Sequence, residues 1–475
     1  MSSSWPRRPR PCWRVRVRTE NMQIKSLKLT PESKGIVRNG MWAASQQTLG
    51  MVLNAVIGIL LVLAVPVHEF GIYSYAVALC AIGSSVMSAG LSGLAVRELV
   101  NRRDENAVIV GGLTVIREAF ALIGYIVIGL ISLTAGDKLA TAATLLACIA
   151  LFGRALDAPE SWYLSHLRSR QTASIRMTTT ACLFVLRIGL LFLWPNIWVL
   201  LTLFAAESLI AGGLILARYL KDPESPGINR AGLAQTLPLL KQSWPLLLSG
   251  MANQINLKSD VVVIQAMLGS VALGVYSAAA RLSELAYFLP VVFMNSTLPV
   301  LLKVRKEEGP ESPRYHRMLQ RSYDQAFWSG LAIAGVVAGV GSVVITQVFG
   351  DDYGPAVDVL VIHVLACPFV FMAAVYSKWI ISEGYFWSSV LRHSLGAVTN
   401  IALNLILLPR MGVRGAAIAT VASYIMATYI AAFVGRKSRP AGRQMTLAML
   451  APIRYGAGYL TGRKNRKADE TMVNT

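Results

Sequence analysis

The chain has 475 residues, of which 54% are hydrophobic and 15% charged, with 45 Lys and Arg against 25 Asp and Glu and a net charge of +20. Soluble domains carry about a quarter charged residues, so this composition excludes a soluble enzyme and belongs in lipid, where the outer surface is apolar as well. The basic excess sits in short connections between apolar stretches, which is the footprint of membrane topology and not of nucleic-acid binding.

The first 35 residues are a basic segment (Arg7, Arg8, Arg10, Arg14, Arg16, Arg18) with no apolar core after the charges, so a signal peptide is not expected. The segment is read either as a cytoplasmic tail that attracts anionic lipid or as a start upstream of the true one at Met22, so that residues 1–21 are dispensable. A hydrocarbon core takes about 20 apolar residues as a helix. Such stretches are expected near 40–65, 71–96, 108–133, 139–160, 174–194, 197–217, 244–268, 272–301, 325–349, 356–377, 388–408 and 412–434. The fold expected is therefore all-α and integral to the membrane, with about twelve transmembrane helices. Met445 to Ile453 is too short to cross and is expected at the surface. The five cysteines, Cys12, Cys80, Cys148, Cys182 and Cys367, have no metal-like spacing, and four lie in apolar runs as small buried hydrophobes.

Sorting the basic residues on this assignment puts 37 on one side and only Lys138, Arg410 and Arg414 on the other. Orientation follows Lys and Arg in short loops, which places both termini in the cytoplasm. The outward connections are tiny, so no folded domain is expected there. The longest internal connection, 218–243, contains Pro223, Pro226 and Gly227 and divides the spans six and six. The expected organisation is a basic tail (1–35), an N-terminal six-helix bundle (36–220), a linker (221–243), a C-terminal six-helix bundle (244–435) and a basic cytoplasmic tail (436–475). A parallel internal repeat supports the division. Phe70-Gly71-Ile72-Tyr73-Ser74 matches Leu273-Gly274-Val275-Tyr276-Ser277 at an offset of 203, and the turns around Pro195 and Pro409 match at 214.

Three segments carry a family resemblance: Glu69 to Ser74 with Gly90 to Glu98, Lys258-Ser259-Asp260 leading to Gly274-Val275-Tyr276-Ser277, and Pro409 to Thr420. Through them the chain resembles, over roughly residues 36 to 435, the polysaccharide transporters of the multidrug/oligosaccharidyl-lipid/polysaccharide exporter superfamily, which include the O-antigen flippases. The resemblance implies two six-helix bundles of MATE-like form around a central cavity that opens alternately to each side. It also implies undecaprenyl-diphosphate-linked oligosaccharide as cargo, the bacterial inner membrane as location, and polysaccharide polymerase and glycosyltransferases as partners. A thirteenth and fourteenth span, present in lipid II flippases, are missing from the sequence pattern, which disfavours the peptidoglycan precursor. The small residues Gly415, Ala416, Ala417 and Ala419 are also accounted for by close helix packing in lipid.

A charge in mid-bilayer costs about 2.5–3.5 kcal/mol on insertion scales, so charged residues in spans face protein or a wet cavity. Five basic residues fall there: Arg117 and Arg154 at similar depth towards the cytoplasmic half, Lys258 and Arg281 towards the outer half, and Arg187. Two levels of positive charge suit a diphosphate in transit, with Arg able to hold phosphate oxygens bidentately. The competing reading is ion pairing: Arg154 with Asp157 and Arg281 with Glu284 at i,i+3, and Arg187 with Glu207 across the Trp194–Asn196 turn. Pairing is favoured for Arg187, and ligand binding for Lys258 and Arg281. Asp260 points to another side of its helix than Lys258, and it either orients a neighbour or binds a coupling cation, proton and sodium both remaining open. Asn253, Gln254, Asn256, Asn295, Asn400 and Asn404 suit sugar hydroxyls or, by default, interhelical hydrogen bonds. His363 reads as hydrogen-bonded packing or as a titrating group, and Pro290 and Pro368 as hinges of their spans.

Two other functions compete. A drug exporter of the same superfamily needs acidic groups in excess, whereas Glu118, Asp157, Glu160, Glu207, Asp260 and Glu284 nearly balance the five basic residues. A membrane polymerase or ligase needs a catalytic platform, which the short outward connections do not offer. No metal, nucleotide-loop or nucleophile motif accompanies the spans, and neither a catalytic residue nor a bound cofactor is expected. Reporter fusions at residues 230 and 475 test the topology: both are expected to be inactive as alkaline phosphatase, and activity at either one overturns it.

Overall fold

The computed structural model describes residues 31–88, 90–229 and 233–455. The basic N-terminal segment with Met22, and the tail beyond residue 455, lie outside the described residues, as does the side chain of Asn295. The described elements are all helical. The first half of the chain forms α1 (Pro31–Ala64), α2 (Val67–Met87), α3 (Ser92–Asn101), α4 (Asn106–Leu133), α5 (Lys138–Cys148), α6 (Ala150–Ala155), α7 (Glu160–Ser165), α8 (Ser169–Leu193) and α9 (Ile197–Lys221). The second forms α10 (Leu233–Glu284), α11 (Phe288–Glu308), α12 (Pro313–Val344), α13 (Ala356–His363), α14 (Cys367–Glu383), α15 (Phe386–Met411), α16 (Val413–Ile425), α17 (Ala431–Val434) and α18 (Arg439–Met449).

The turns follow from local chemistry. Pro66 stands before the first residue of α2, where a missing amide hydrogen costs nothing. Asp137 caps α5 by accepting from the Leu139 and Ala140 amides at 2.9 and 3.1 Å. Asn196 caps α9 through the Trp198 amide at 2.8 Å, and Ser312 followed by Pro313 starts α12.

Eleven described helical stretches are long and apolar enough to cross a membrane, and one of them, Thr236–Tyr287, is two spans. At Gly269 the backbone turns to φ 79° and ψ −177°, a conformation that favours glycine. Lys258 then meets Glu284 at 3.4 Å and Tyr276 hydrogen-bonds Asp260. In a straight helix residues 260 and 276 would stand about 24 Å apart, so the two arms of α10 run back along each other and twelve spans result. Apolar side chains such as Leu122, Ile126 and Leu130 on α4 and Val336, Val340 and Val343 on α12 remain exposed, as a lipid-facing surface requires.

Two bundles are recognisable by their packing. In the first, α8 packs on α1 and α9, and α5 on α2 and α4; in the second, α15 packs on α10 and α16, and α12 on α14. The bundles meet along α2 and α10. The contact is reciprocal at the repeat offset of 203: a Cβ on Gly71 would collide with the Ser270 carbonyl, and one on Gly274 with the Val67 carbonyl. Matching positions thus face each other across a local twofold, as in an isologous interface.

The segment between the bundles is held against the first. Arg168 pairs with Asp222 and Glu224 at 2.9 and 3.0 Å, and the Asn229 amide donates to the Ala107 carbonyl. Residues from 233 onward are already helix. The short C-terminal helix α18 does not span; its face of Ala441, Gly442, Met445 and Ala448 is buried against α12. Trp328 donates to the Ala448 carbonyl at 2.9 Å and Arg454 pairs with Asp324.

The reciprocal glycine contact makes a measurable demand. Gly71→Ala and Gly274→Ala are each expected to lower the stability of the purified protein by about 1–3 kcal/mol through overpacking, whereas Gly213→Ala, with open space around it, is expected to leave the melting temperature within error. Equal melting temperatures for all three variants would remove the contact from the account of the fold.

Candidate functional site

The helix after the second outward turn is interrupted between Ala155 and Glu160, where residues 156–159 form turns and Pro159 precedes α7. That break opens a polar cavity of about 540 Å³ in the first bundle, walled by α1, α2, α3, α4, α8, α9 and the broken helix itself. Three arginines line it: Arg117, Arg154 and Arg176. Asp157 lies between two of them. Its Oδ1 accepts from Arg117 Nη1 at 2.7 Å, and its Oδ2 pairs with Arg176. Glu160 accepts from Arg176 Nη2 at 2.7 Å. Glu207, the third acid on the wall, is held by Thr180 Oγ1 and by Arg187 Nη2, both at 2.7 Å. Arg154 differs from these. It donates to Ser84 Oγ at 2.6 Å and has no carboxylate within ion-pair distance among the described residues.

A second, smaller cavity of about 160 Å³ lies between α2 and the two arms of α10 and is lined by Lys258, Asp260, Arg281 and Glu284. Lys258 pairs with Glu284 at 3.4 Å. The Arg281 guanidinium lies 5.6 Å from the Phe70 ring centroid, a cation–π arrangement, and has no carboxylate within ion-pair distance among the described residues. Asp260 is buried, accepting from Tyr276 and, at 3.4 Å, from Thr420 of α16.

The structure therefore gathers the four expected ligand residues into two cavities, Arg117 and Arg154 in one, Lys258 and Arg281 in the other. The Arg187–Glu207 pair forms as the turn geometry implies. Two other pairings are corrected. Arg154 does not bond Asp157, because the break after Ala155 removes the i,i+3 geometry and hands Asp157 to Arg117 and Arg176. Arg281 does not bond Glu284, because the fold at Gly269 brings Lys258 alongside that carboxylate first. Asp260 and Lys258 do take different partners, as two neighbours on a helix must.

Arg176, which sequence reasoning did not single out, is a wall of the larger cavity. The available signal was its position inside the predicted span 174–194. Arg392, likewise inside a predicted span, is only 5% exposed; it stacks 5.3 Å from the Tyr376 ring centroid and donates to Ser377 Oγ at 2.7 Å. Two of the asparagines serve the second bundle's interior: Ser259 donates to Asn400 Oδ1 at 2.7 Å and Asn404 to the same oxygen at 2.8 Å. His363 Nδ1 lies 2.6 Å from Ser283 Oγ. Pro368 follows a 3₁₀ turn at Val364–Ala366 that breaks the tenth span.

Comparison with known proteins agrees with this architecture. The sequence pattern of a family described as "Polysaccharide biosynthesis protein" matches residues 36–304. A relative from Haloferax volcanii, described as "Probable flippase AglR", is 30% identical over 186 residues, which make up 36% of this chain and 36% of that protein. The match thus spans about a third of the relative's length. Among solved structures, "Lipid II flippase MurJ, inward closed conformation" superposes with a TM-score of 0.63 at 16% identity, covering 88% of this chain and 93% of that one. An inward-facing multidrug resistance MATE family transporter of the MOP superfamily gives 0.62 at 14% identity, over 83% and 96%. A MOP superfamily transporter from Pyrococcus furiosus gives 0.55 at 15%, over 86% and 96%. At these identities the structures speak for the fold.

The Arg187–Glu207 pair is nearly enclosed, with side chains 4% and 19% exposed. Removing one partner of such a pair strands the other charge, so Arg187→Met alone is expected to cost roughly 3–5 kcal/mol, and the double variant with Glu207→Gln to recover much of that loss. A double-mutant cycle on unfolding in detergent measures it, and purely additive losses would show the two residues to be uncoupled.

Proposed function

Because this chain belongs to the polysaccharide biosynthesis protein family, we propose that it is a flippase. It carries undecaprenyl-diphosphate-linked oligosaccharide from the cytoplasmic to the periplasmic leaflet of a bacterial inner membrane by alternating access. Glycosyltransferases supply that cargo and a polymerase consumes it. The observation that carries the reading is Arg154, a guanidinium with no carboxylate within ion-pair distance among the described residues, placed in the wall of a polar cavity large enough for sugar. A guanidinium that bonds only a hydroxyl keeps donors for phosphate oxygens. Arg281 in the smaller cavity repeats the motif, with Lys258 beside it. Gln46, Asn54, Ser88, Ser92 and Ser208 offer donors and acceptors to sugar hydroxyls.

In this reading the diphosphate passes from Arg154 and Arg117 to Arg281 and Lys258 as the bundles rock about the α2–α10 contact. Residues 36–220 and 244–435 are the moving halves, and 221–243 joins them. Asp260, buried against Tyr276 and Thr420, is the residue at which a coupling proton or sodium ion is taken up, and Glu284 tunes Lys258. Export of cationic drugs fits the larger cavity poorly, since each of its carboxylates, Asp157, Glu160 and Glu207, is already bonded to an arginine.

Reconstitution with a fluorescent lipid-linked oligosaccharide tests the proposal. Arg154→Ala, Arg281→Ala and Lys258→Ala are each expected to lower transport at least about tenfold, the loss of one charge-assisted contact in the cavity, at unchanged abundance. Arg154→Lys should retain part of the activity. Normal transport by the alanine variants would show that the diphosphate is held elsewhere.

A further inference from the structure

The acids of the larger cavity pose a question that the flippase reading leaves open. Asp157 uses both carboxylate oxygens on two different arginines from two different helices, Arg117 of α4 and Arg176 of α8. That is the arrangement a phosphate would adopt, with separate oxygens on separate guanidiniums. The Asp157 side chain is 14% exposed and lies on the cavity wall, so an anion entering the cavity reaches the same two guanidiniums. Glu160 of α7 shares Arg176, Arg154 of α6 stands on the same wall, and Glu207 of α9 is engaged by Arg187. The lining positions from α1, α2 and α3 are uncharged, among them Gln46, Asn54, Ser84 and Ser92.

The charges at this wall nearly cancel: Arg117, Arg154 and Arg176 on the wall, with Arg187 behind Glu207, stand against Asp157, Glu160 and Glu207. A diphosphate, each of whose phosphates is ionised, would leave the cavity with excess negative charge if every acid stayed ionised. An uncompensated charge in such surroundings is costly, and a carboxylate stripped of both its cations is relieved by taking up a proton.

We infer that Asp157 is a resident counter-anion that holds the place of the cargo's diphosphate, which displaces it from Arg117 and Arg176 and so makes cargo binding an exchange of anions. This inference rests on the flippase reading. The displaced carboxylate accepts a proton from the water on the side from which cargo enters, and returns it when the diphosphate leaves and the arginines come back. Binding is therefore linked to proton uptake and strengthens as pH falls, by up to tenfold per pH unit for one proton. Exchange also explains how Arg117 and Arg176 stay neutralised between cargoes.

The test is calorimetric titration of the full chain in detergent with a geranylgeranyl-diphosphate-linked disaccharide, a diester whose two phosphates each carry one charge that does not titrate near neutral pH, in buffers of different ionisation enthalpy. The wild type is expected to take up close to one proton for each ligand bound. Asp157→Asn, which keeps the shape and removes the competing charge, is expected to bind at least about tenfold more tightly and to lose the proton uptake. Asp157→Glu is expected to restore both. The wild-type proton count needs no variant, so a poorly folding Asp157→Asn leaves a decisive measurement in place. Binding without proton uptake, or a folded Asp157→Asn that binds no tighter than wild type, overturns the exchange while leaving the flippase reading intact, provided Arg154→Ala weakens binding. Failure of the wild type to bind the diphosphate overturns both.

Discussion

An ionised side chain among apolar helices must find its counter-charge inside the bundle, because neither lipid nor a packed core will solvate it. That requirement organises this molecule. Asp157 is shared by Arg117 and Arg176, Arg187 is matched to Glu207, Lys258 to Glu284, and Asp324 to Arg454. Each pair ties together helical segments that come side by side only when the chain folds, so neutralisation and tertiary packing are one process. Arg392, stacked on Tyr376, and Asp260, bonded to Tyr276 and Thr420, are buried without an ion-pair partner among the described residues, and two further arginines lack one at the cavities. Arg154 has a serine and Arg281 a phenylalanine ring where a carboxylate would be expected.

A continuous helix satisfies its own backbone, and where a helix stops the wall becomes irregular. Here the larger cavity lies where the second span ends at Met87 before α3 resumes at Ser92, and where the fourth breaks between Ala155 and Glu160. The serines near the first break turn back onto their own helix, Ser84 to the Cys80 carbonyl and Ser88 to that of Ser85, so the ragged wall stays polar without collapsing.

The two bundles meet through glycines because only a missing side chain lets backbones touch. Reciprocity at the repeat offset places Gly71 against Ser270 and Gly274 against Val67, and Asp137 of the first bundle accepts from Ser270 Oγ at 3.1 Å beside this contact. The connection between the halves rides with the first bundle, pinned by Arg168 to Asp222 and Glu224.

Span count, the two-bundle plan and the internal repeat were legible in the sequence because they depend on local quantities: twenty-residue runs of apolar character, turn residues such as Gly269 and Pro66, and recurrence of a short motif. The Arg187–Glu207 pair was legible too, since a three-residue turn leaves two neighbouring helices little choice of register. The partners of Arg154, Asp157, Arg281 and Glu284 were not. A spacing of i,i+3 promises contact only if the helix is unbroken and no stronger partner arrives from elsewhere. The break after Ala155 and the arrival of Arg176, nineteen positions later in the chain, decided one case. The fold at Gly269, which lays Lys258 beside Glu284, decided the other. Which charge is left unpaired depends on every charge that could have reached it, and that competition is settled only when the helices are packed.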